Sequence, residues 1–186
     1  MKRLKVDGFM IYIFPGVYEP AEDTYLLLEV INRRSLDGLK VLELCTGCGI
    51  LAVAAALKGA SVVAVDVDPL SAANAFLNAR ANGADNVEVI CGDLCSAISQ
   101  AASFDLVLAN PPYLPSEGDR RWSAKPRLLG RLVKEAMAVL KDGGVVLLVE
   151  SSLHPLPRIK GVKYGVVGRR RFLYEEVRVV EITPHL

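Results

Sequence analysis

The amino-acid sequence predicts a single α/β domain built around a mostly parallel β-sheet. Short apolar runs alternate with helix-length, alanine-rich stretches along most of the chain, which is the pattern of successive βαβ units. The length of 186 residues fits one domain with a sizeable core. Hydrophobic residues make up 52% of the chain and charged residues 23%, a composition that excludes a long disordered protein.

The first half of the chain is expected to hold two strands and three helices. The first helix, Tyr25–Arg33, follows a polar stretch, and the short apolar run Lys40–Leu44 predicts the first strand. The alanine-rich segment Ile50–Lys58 predicts the second helix. Ser61–Val67 predicts the second strand, and the helix that we expect over Pro69–Asn82 begins with a proline, which suits a first turn.

Three further strands and one helix are expected in the next seventy residues. Val87–Cys91 and Phe104–Ala109 are apolar strand-length runs, with room for a weak helix between them. Leu128–Leu140 predicts a helix that the Asp-Gly-Gly sequence at 142–144 would end. Val145–Glu150 then predicts the fifth strand.

The pattern changes after the fifth strand. Ser151–Gly161 contains two prolines and leaves little space for a crossover helix, so we expect a turn or two of helix there or none. Val162–Val167 and Val177–Ile182 predict two more strands, linked through residues 168–171. Without a crossover helix, these strands are expected to close the sheet as an antiparallel pair.

Charge and apolar patterning bound the class of protein. The 22 basic and 21 acidic residues nearly cancel, so strong electrostatic binding of nucleic acid is not expected to be the main activity. Apolar runs such as Ile50–Leu57 are far shorter than the ~20 residues of a membrane-spanning helix, and the stretch 9–14 is too short for a signal-peptide core. Four cysteines are too few for a secreted disulfide scaffold. We therefore expect a cytoplasmic protein with no membrane partner.

A glycine-rich corner follows the first predicted strand. Gly47, Gly49 and Ala52 fit the pattern G-x-G-x-x-A between a strand and a helix, and Asp66 ends the second strand about 20 residues later. Free N–H groups at a helix start and a carboxylate for ribose hydroxyls suit any adenosine-containing cofactor. At this point both NAD and S-adenosyl-L-methionine fit, and a glycine corner without a ligand is the structural alternative.

Two acidic residues refine the choice of cofactor. Glu43 occupies the last inward position of the first strand, where a carboxylate is costly unless it is used. A carboxylate there would disfavour a pyrophosphate and favour a sulfonium and an ammonium group. Asp93 follows the third strand and is placed to accept from an adenine amino group, although a role as a turn or helix cap explains it equally well.

The fourth predicted strand ends in the sequence Asn110-Pro111-Pro112-Tyr113. The side-chain carbonyl of the asparagine and the backbone carbonyl of the first proline are two acceptors that a proline-stiffened loop would hold close together. They match the two N–H bonds of a planar amino group, and the tyrosine offers a flat face to an amide or a base. Holding both N–H bonds would aim the nitrogen lone pair at a methyl group. A proline turn that only ends the strand is the structural alternative.

These motifs resemble those of class I S-adenosyl-L-methionine-dependent methyltransferases with an NPPY signature. The segment 17–28 resembles the N-terminal signature of the HemK-type protein glutamine methyltransferases, in their archaeal and eukaryotic branch, and the segment 168–176 resembles the C-terminal segment of that branch. The resemblance covers residues 15–182. It implies a class I methyltransferase Rossmann-like fold, with a seven-stranded, mostly parallel sheet, one antiparallel strand and helices on both faces.

The resemblance also implies a function and partners. The expected reaction is N5-methylation of the glutamine in the Gly-Gly-Gln motif of a peptide-chain release factor, with S-adenosyl-L-methionine as cofactor. Archaeal and eukaryotic relatives often work with a small zinc-ribbon activator subunit. The whole of residues 1–186 would form one methyltransferase domain, with residues 1–38 as an extension that helps to cover substrate and cofactor and residues 39–186 as the catalytic core.

Carried onto this chain, the resemblance assigns the acceptor site and the cofactor site. Pro20 and Thr24 should lie near the methionine end of the cofactor, whereas Cys45 departs from the family because a glycine usually stands there. The expected catalytic residues are Asn110, Pro111, Pro112 and Tyr113. The expected cofactor-binding residues are Pro20, Thr24, Glu43, Cys45, Gly47, Gly49, Asp66, Val67, Asp93, Leu94 and Asn110. No metal site is expected, because the Cys45–Cys48 pair has no second pair at zinc-binding spacing.

The same residues leave other functions open. Nucleic-acid amino methyltransferases share the NPPY motif, so an exocyclic amino group of adenine or guanine in RNA or DNA is the alternative acceptor, and only then is nucleic acid a partner. A cofactor-binding subunit without turnover and a NAD enzyme are weaker alternatives.

Overall fold

The computed structural model of the protein describes residues 1–99, 101, 103–112 and 127–185. The described residues form a seven-stranded sheet with helices on both faces, preceded by a two-stranded hairpin. None of the described helices is long and apolar enough to cross a membrane. In chain order the elements are β1 (Lys2–Val6), β2 (Phe9–Ile13), α1 (Glu22–Asn32), β3 (Lys40–Leu44), α2 (Ile50–Leu57), β4 (Ser61–Asp66), α3 (Pro69–Ala81), β5 (Val87–Cys91), β6 (Phe104–Ala109), α4 (Leu128–Ala138), β7 (Leu140–Ser151), β8 (Val162–Arg171) and β9 (Glu176–Pro184).

The strand order of the main sheet is β5-β4-β3-β6-β7-β9-β8. The first five of these strands pair in parallel, whereas β9 runs antiparallel to both of its neighbours. The prediction of a mostly parallel sheet with one antiparallel strand is therefore confirmed. Because β3 to β6 are parallel, the loops that leave their carboxyl ends meet at one edge, where open α/β sheets bind ligands.

Both faces of the sheet are buried. On β3, Val41 packs in the core formed with α1 and α2, whereas the next residue, Leu42, packs in the core formed with α4. Successive side chains of the strand thus pack into two different cores, which explains why the sequence of the strand is almost continuously apolar. The glycine-rich corner and the other site loops extend from this rigid layer.

The sequence did not predict the N-terminal hairpin and showed only an apolar stretch over 9–14. β1 and β2 pair antiparallel, from Lys2 opposite Ile13 to Val6 opposite Phe9. The backbone groups at the other edge of β2 are bonded by three asparagines spaced four residues apart and therefore on one helix face: two lie within α3, and Asn82 is its C-terminal cap. Each side-chain oxygen accepts a backbone N–H at 2.8–3.0 Å, in the pairs Asn82–Met10, Asn78–Tyr12 and Asn74–Phe14.

Two boundaries around β7 differ from the prediction. α4 ends at Ala138, and β7 begins at Leu140 rather than at Val145, so the Asp-Gly-Gly sequence lies within the strand. Pairing with β6 shifts register between Leu140 and Val145, and Gly143 adopts a φ of +78°. A glycine with positive φ lets the strand bulge instead of ending the helix.

The predicted link 168–171 was also wrong, because β8 continues through it to Arg171 and turns at 172–175. Gly168 permits this path, since a Cβ there would lie 2.9 Å from Val30 on α1. The weak helix that the sequence allowed between β5 and β6 is absent from residues 92–99, all of which are described and form turns, bends and irregular chain. Residues 152–161, also all described, hold no helix, as expected.

Candidate active site

The carboxyl ends of four adjacent strands carry most of the residues that the sequence singled out. β5, β4, β3 and β6 are neighbours in this order and run in parallel. Their loops begin at Gly92, Val67, Cys45 and Asn110, so the predicted site residues converge at one edge of the sheet. Tyr113 lies outside the described residues.

The glycine-rich corner has an alternating left-handed backbone. Cys45, Gly47 and Gly49 adopt φ values of +60°, +56° and +79°. Gly49 is also required by packing, because a Cβ there would lie 2.8 Å from the Cα of Ala75 on α3. Cys45 therefore follows the path that suits a glycine, at a cost of about 1 kcal/mol. Burial raises the pKa of its thiol, so it is not a thiolate nucleophile.

Asp66 connects the corner to the end of β4. The backbone N–H groups of Gly47 and Asp68 donate to its two carboxylate oxygens at 2.8 Å and 3.0 Å. Burial raises the pKa of Asp66, and these two N–H groups oppose that shift. Asp68 in turn caps α3 through the N–H of Ser71. The carboxylate is thus fixed beside the loop, at the position where the sequence predicted a ribose-binding group.

Glu43 is buried beneath the same corner. Its carboxylate accepts the hydroxyl of Thr46 at 2.5 Å and the backbone N–H of Ala52 in the first turn of α2. Burial nevertheless raises the pKa of Glu43 to about 8, because its charged form has been removed from water. The sequence argument that a carboxylate is costly at this position is therefore supported by its surroundings.

Asn110 is held by side chains from the start of α1. Its Nδ2 group donates to Thr24 Oγ1 at 3.0 Å and to Asp23 Oδ2 at 3.2 Å. Its Oδ1 atom is buried and has no hydrogen-bond partner among the described residues. An acceptor that is buried without a partner is costly, and such an atom at a sheet edge is suited to receive a donor from a ligand.

A comparison with protein families identifies the family of this chain. Residues 14–170 match the family described as "Methyltransferase small domain". The chain belongs to this family. The predicted class I methyltransferase fold is thereby confirmed. The prediction that the protein is an S-adenosyl-L-methionine-dependent N-methyltransferase is confirmed as well.

Individual relatives of the methyltransferase differ in substrate. A protein of Methanocaldococcus jannaschii, provisionally described as a protein N5-glutamine methyltransferase, is 32% identical over 95% of this chain and 96% of its own. Ribosomal RNA small subunit methyltransferase C of Chromohalobacter salexigens is 32% identical over 95% of this chain but only 54% of its own.

One solved complex is also similar. It is the Mtq2–Trm112 complex of E. cuniculi, responsible for the methylation of the eRF1 translation termination factor. The matching chain is 25% identical, with a TM-score of 0.63, and the match covers 91% of this chain and 99% of that one.

The loop after β5 takes part in a contact that the sequence did not predict. Arg131 of α4 lies with Nη1 2.8 Å from Asp93 Oδ2 and with Nε 2.6 Å from Glu135 Oε1. Asp93 is half-exposed and therefore accessible to a ligand as well. Leu94 beside it is buried with a φ of +50°, and Val67 on the neighbouring loop is exposed.

Asp23 and Tyr18 are polar residues of the site that the sequence did not single out. Asp23 is 5% exposed, and the hydroxyl of Tyr18 donates to both of its oxygens at 3.1 Å. The available signal was the run of polar residues at the start of α1, immediately before a strongly apolar stretch. Of the two residues that were expected near the methionine end of the cofactor, Thr24 contacts Asn110, and Pro20 is buried just before the helix.

Replacing Glu43 by glutamine is expected to change how the stability of the methyltransferase depends on pH. The folded pKa, about 8, lies above the ordinary 4.5, so the folded state holds a proton that the unfolded chain releases. The free energy of unfolding of the wild type should therefore fall as pH rises from about 4.5 to about 8, by up to about 1.4 kcal/mol per unit. Glu43→Gln removes this dependence.

Urea unfolding between about pH 5 and pH 8 measures the effect. The matched control is Glu88→Gln on β5, an exposed glutamate, which should keep the wild-type pH dependence. Equal slopes for the wild type and Glu43→Gln would contradict the prediction.

Proposed function

We propose that this methyltransferase transfers a methyl group to the N5 atom of the glutamine in the Gly-Gly-Gln motif of a peptide-chain release factor. The observation that carries the proposal is the buried Oδ1 of Asn110, which is without a partner among the described residues while its Nδ2 is held from behind. A fixed acceptor of this kind fits the N–H bond of a planar amino group. The N-terminal signature at 17–28 favours a glutamine amide as that group.

The residues of the sheet edge fit S-adenosyl-L-methionine, which supplies an electrophilic methyl group on a sulfonium. Asp66 would hold the ribose hydroxyls, and Asp93 would face the adenine amino group. Glu43 would lie near the cationic end, where a positive charge would favour ionisation of its carboxyl. The remaining proposed cofactor-binding residues are Pro20, Thr24, Cys45, Gly47, Gly49, Val67, Leu94 and Asn110.

In the proposed reaction, Asn110 Oδ1 and the backbone carbonyl of Pro111 accept the two N–H bonds of the glutamine amide. The nitrogen lone pair forms a bond to the methyl carbon, and the electrons of the carbon–sulfur bond remain on sulfur, which leaves S-adenosylhomocysteine. The nitrogen then loses one proton to solvent. Pro112 stiffens the loop, and we assign Tyr113 the flat contact with the amide. The chain's own contribution is positioning and electrostatic stabilisation.

The relatives support two classes of acceptor. The M. jannaschii protein favours a protein glutamine, and the E. cuniculi complex, which methylates a translation termination factor, favours a release factor. Because that complex contains a second protein, it also supports an activator subunit as a partner of this chain, which we propose to be the small zinc-ribbon subunit that the family resemblance implies. The ribosomal RNA methyltransferase of C. salexigens favours the second candidate, an exocyclic amino group of adenine or guanine in RNA or DNA. The net charge of +1 weighs toward the protein substrate.

Labelled methyl transfer tests the proposed substrate. The enzyme is assayed with and without an activator subunit. Its three substrates are a class 1 release factor, the same factor with the glutamine of its Gly-Gly-Gln motif replaced by alanine, and total RNA. We expect label in the wild-type factor alone. Equal labelling of the two factors would contradict a glutamine acceptor, and labelling confined to RNA would favour the second candidate.

A further inference from the structure

We propose that Asp23 is a positioning residue that fixes which end of the Asn110 amide faces the acceptor. The proposal rests on the proposed function only in taking a planar amino group as the acceptor. It is carried by three neighbouring features of the described structure: a buried carboxylate, an asparagine that donates to it, and a buried oxygen on that asparagine with no partner among the described residues.

The two ends of an asparagine amide have nearly the same shape, so sterics alone does not choose between them. An ionised carboxylate accepts hydrogen bonds and donates none, and therefore only the Nδ2 end of Asn110 can face Asp23. The hydroxyl of Thr24, at 3.0 Å from the same Nδ2, could by itself donate or accept, and it is an acceptor here because its own hydrogen is donated to Asp23 Oδ1 at 3.2 Å. The opposite orientation would set two acceptors against each other and would present an NH₂ group to an NH₂ substrate.

Asp23 is itself held in one place. The backbone N–H of Thr24 donates to its Oδ1 at 2.6 Å, and the hydroxyl of Tyr18 reaches both oxygens. The carboxylate lies in the first turn of α1, where the helix dipole favours negative charge. Burial and the charge of Asp23 raise the pKa of the Tyr18 hydroxyl, so that hydroxyl remains a donor.

The arrangement also affects the charge on the reacting group. Donation from Nδ2 of Asn110 to a carboxylate polarises the amide and increases the negative charge on Oδ1. Methyl transfer moves positive charge from sulfur to the acceptor nitrogen, so its N–H bonds become stronger donors as the bond forms. A more negative Oδ1 therefore stabilises the transition state more than the bound substrate.

The first test replaces Asp23 by asparagine, which keeps the shape and removes the charge. Because either end of the new amide can face Asn110, the acceptor orientation is no longer fixed. We expect kcat for release factor to fall on the order of 10-fold to 100-fold, with the Kd for S-adenosylhomocysteine within about twofold of the wild type. Glu22→Gln is the matched control, because it removes a charge from the same turn of α1 but pairs with Arg170 instead. It should leave kcat unchanged.

A charge swap separates positioning from a structural role. Asn110→Asp alone places two carboxylates against each other and should lose most activity. In the double variant Asp23→Asn with Asn110→Asp, the amide at position 23 donates to the carboxylate at position 110, whose second oxygen is again an acceptor. We expect the double variant to be at least about 10-fold more active than Asn110→Asp alone, whereas independent structural damage would make the two losses multiply.

A spectroscopic measurement tests the geometry without any methyl acceptor. In ¹⁵N-labelled wild-type protein, the side-chain amide resonance of Asn110, assigned by its loss in Asn110→Asp, should be shifted downfield by the carboxylate. Asp23→Asn should abolish that shift, while the side-chain signals of Asn74, Asn78 and Asn82 stay in place as internal controls. This result stands even if release factor is not the substrate.

The outcomes that overturn the proposal are distinct from failure of the proposed function. An unchanged Asn110 resonance in Asp23→Asn would overturn it, as would a fall in kcat that is matched by weaker S-adenosylhomocysteine binding, or a charge swap that brings no rescue. A wild type that labels RNA instead of release factor would overturn the proposed substrate alone, and the same variants would then be assayed on RNA.

Discussion

Asn110→Ala is expected to lower kcat for methyl transfer about 1,000-fold, the largest effect that we predict for a single side chain. The variant removes the only side-chain acceptor that the described structure offers at this position, and losing one such group costs about 10²-fold to 10³-fold. Asn110 is also one of the proposed cofactor-binding residues, so binding of the cofactor product should weaken, but by much less than kcat falls, because Asp66 and the glycine-rich corner are untouched. Steady-state kinetics on release factor and calorimetry with S-adenosylhomocysteine measure the two effects separately.

Asn32→Ala is the matched control for this experiment. The side-chain NH₂ group of Asn32 also donates to an aspartate, Asp7, at 2.9 Å, but on the exposed surface. It should leave kcat unchanged. An Asn110→Ala enzyme that keeps a tenth or more of wild-type kcat would show that Oδ1 is not the acceptor that holds the reacting amino group.

Removing Asn110 should also separate activity from stability. Its Oδ1 is buried without a partner among the described residues, so the folded protein carries a desolvation cost of about 1–3 kcal/mol that the bound substrate would relieve. In the free energy of unfolding, the gain from removing this unpartnered acceptor offsets the loss of the two hydrogen bonds from Nδ2. A large fall in kcat with a small change in unfolding free energy is therefore the expected pattern for a group kept for function.

The parallel part of the fold and the placement of the site loops could be predicted from sequence. Strands buried on both faces are almost continuously apolar, and the helices between them are alanine-rich, so β3 to β6 were bounded correctly to within a residue. Since parallel strands share a carboxyl edge, their order along the chain is enough to predict that Glu43, Asp66 and Asn110 converge. These inferences need only local pattern and one topological rule.

The sequence could not predict contacts between polar side chains that are distant in the chain. Asp23 and Asn110 are separated by 87 positions, and Arg131 and Asp93 by 38. Such pairs have no periodicity, and although Asn110 and Asp93 were predicted as site residues, nothing in the sequence connects them to Asp23 and Arg131. The same applies to the asparagines of α3, which in sequence look like polar positions on an exposed helix but lie against β2.

The role of turn residues was also ambiguous in the sequence, and only the pairing of strands in the structure resolves it. An Asp-Gly-Gly sequence ends a helix in one context and bulges a strand in another, because both uses need a positive φ. Here the bulge prevails, since Leu140 already pairs with Phe104 on β6. Similarly, Gly168 reads as a turn signal, yet it serves the close approach of β8 to α1.

Asn78→Ala is expected to lower the free energy of unfolding by about 3 to 4 kcal/mol, the largest stability effect that we predict. Asn78 is fully buried, and its amide accepts the backbone N–H of Tyr12 and donates to the carbonyls of Tyr12 and Cys48, each at 2.8 Å. Alanine would leave the N–H of Tyr12 and the carbonyl of Cys48 without this partner and would create a small cavity, whereas the carbonyl of Tyr12 keeps a bond from Asn74 at 2.7 Å. Thermal unfolding should shift down by about 10 °C.

The third of these bonds reaches the glycine-rich corner, so the loss should extend beyond the hairpin. We expect the amide hydrogen of Tyr12 to exchange faster in Asn78→Ala, and S-adenosylhomocysteine to bind more weakly because Cys48 is no longer held to α3. Asn82→Ala is the matched control, since it also contacts β2 but lies at the end of the helix, only half-buried and away from the corner. It should lower the unfolding free energy by about 1 kcal/mol and leave binding unchanged. Equal effects of the two substitutions would mean that the asparagines only hold the hairpin and do not connect it to the glycine-rich corner.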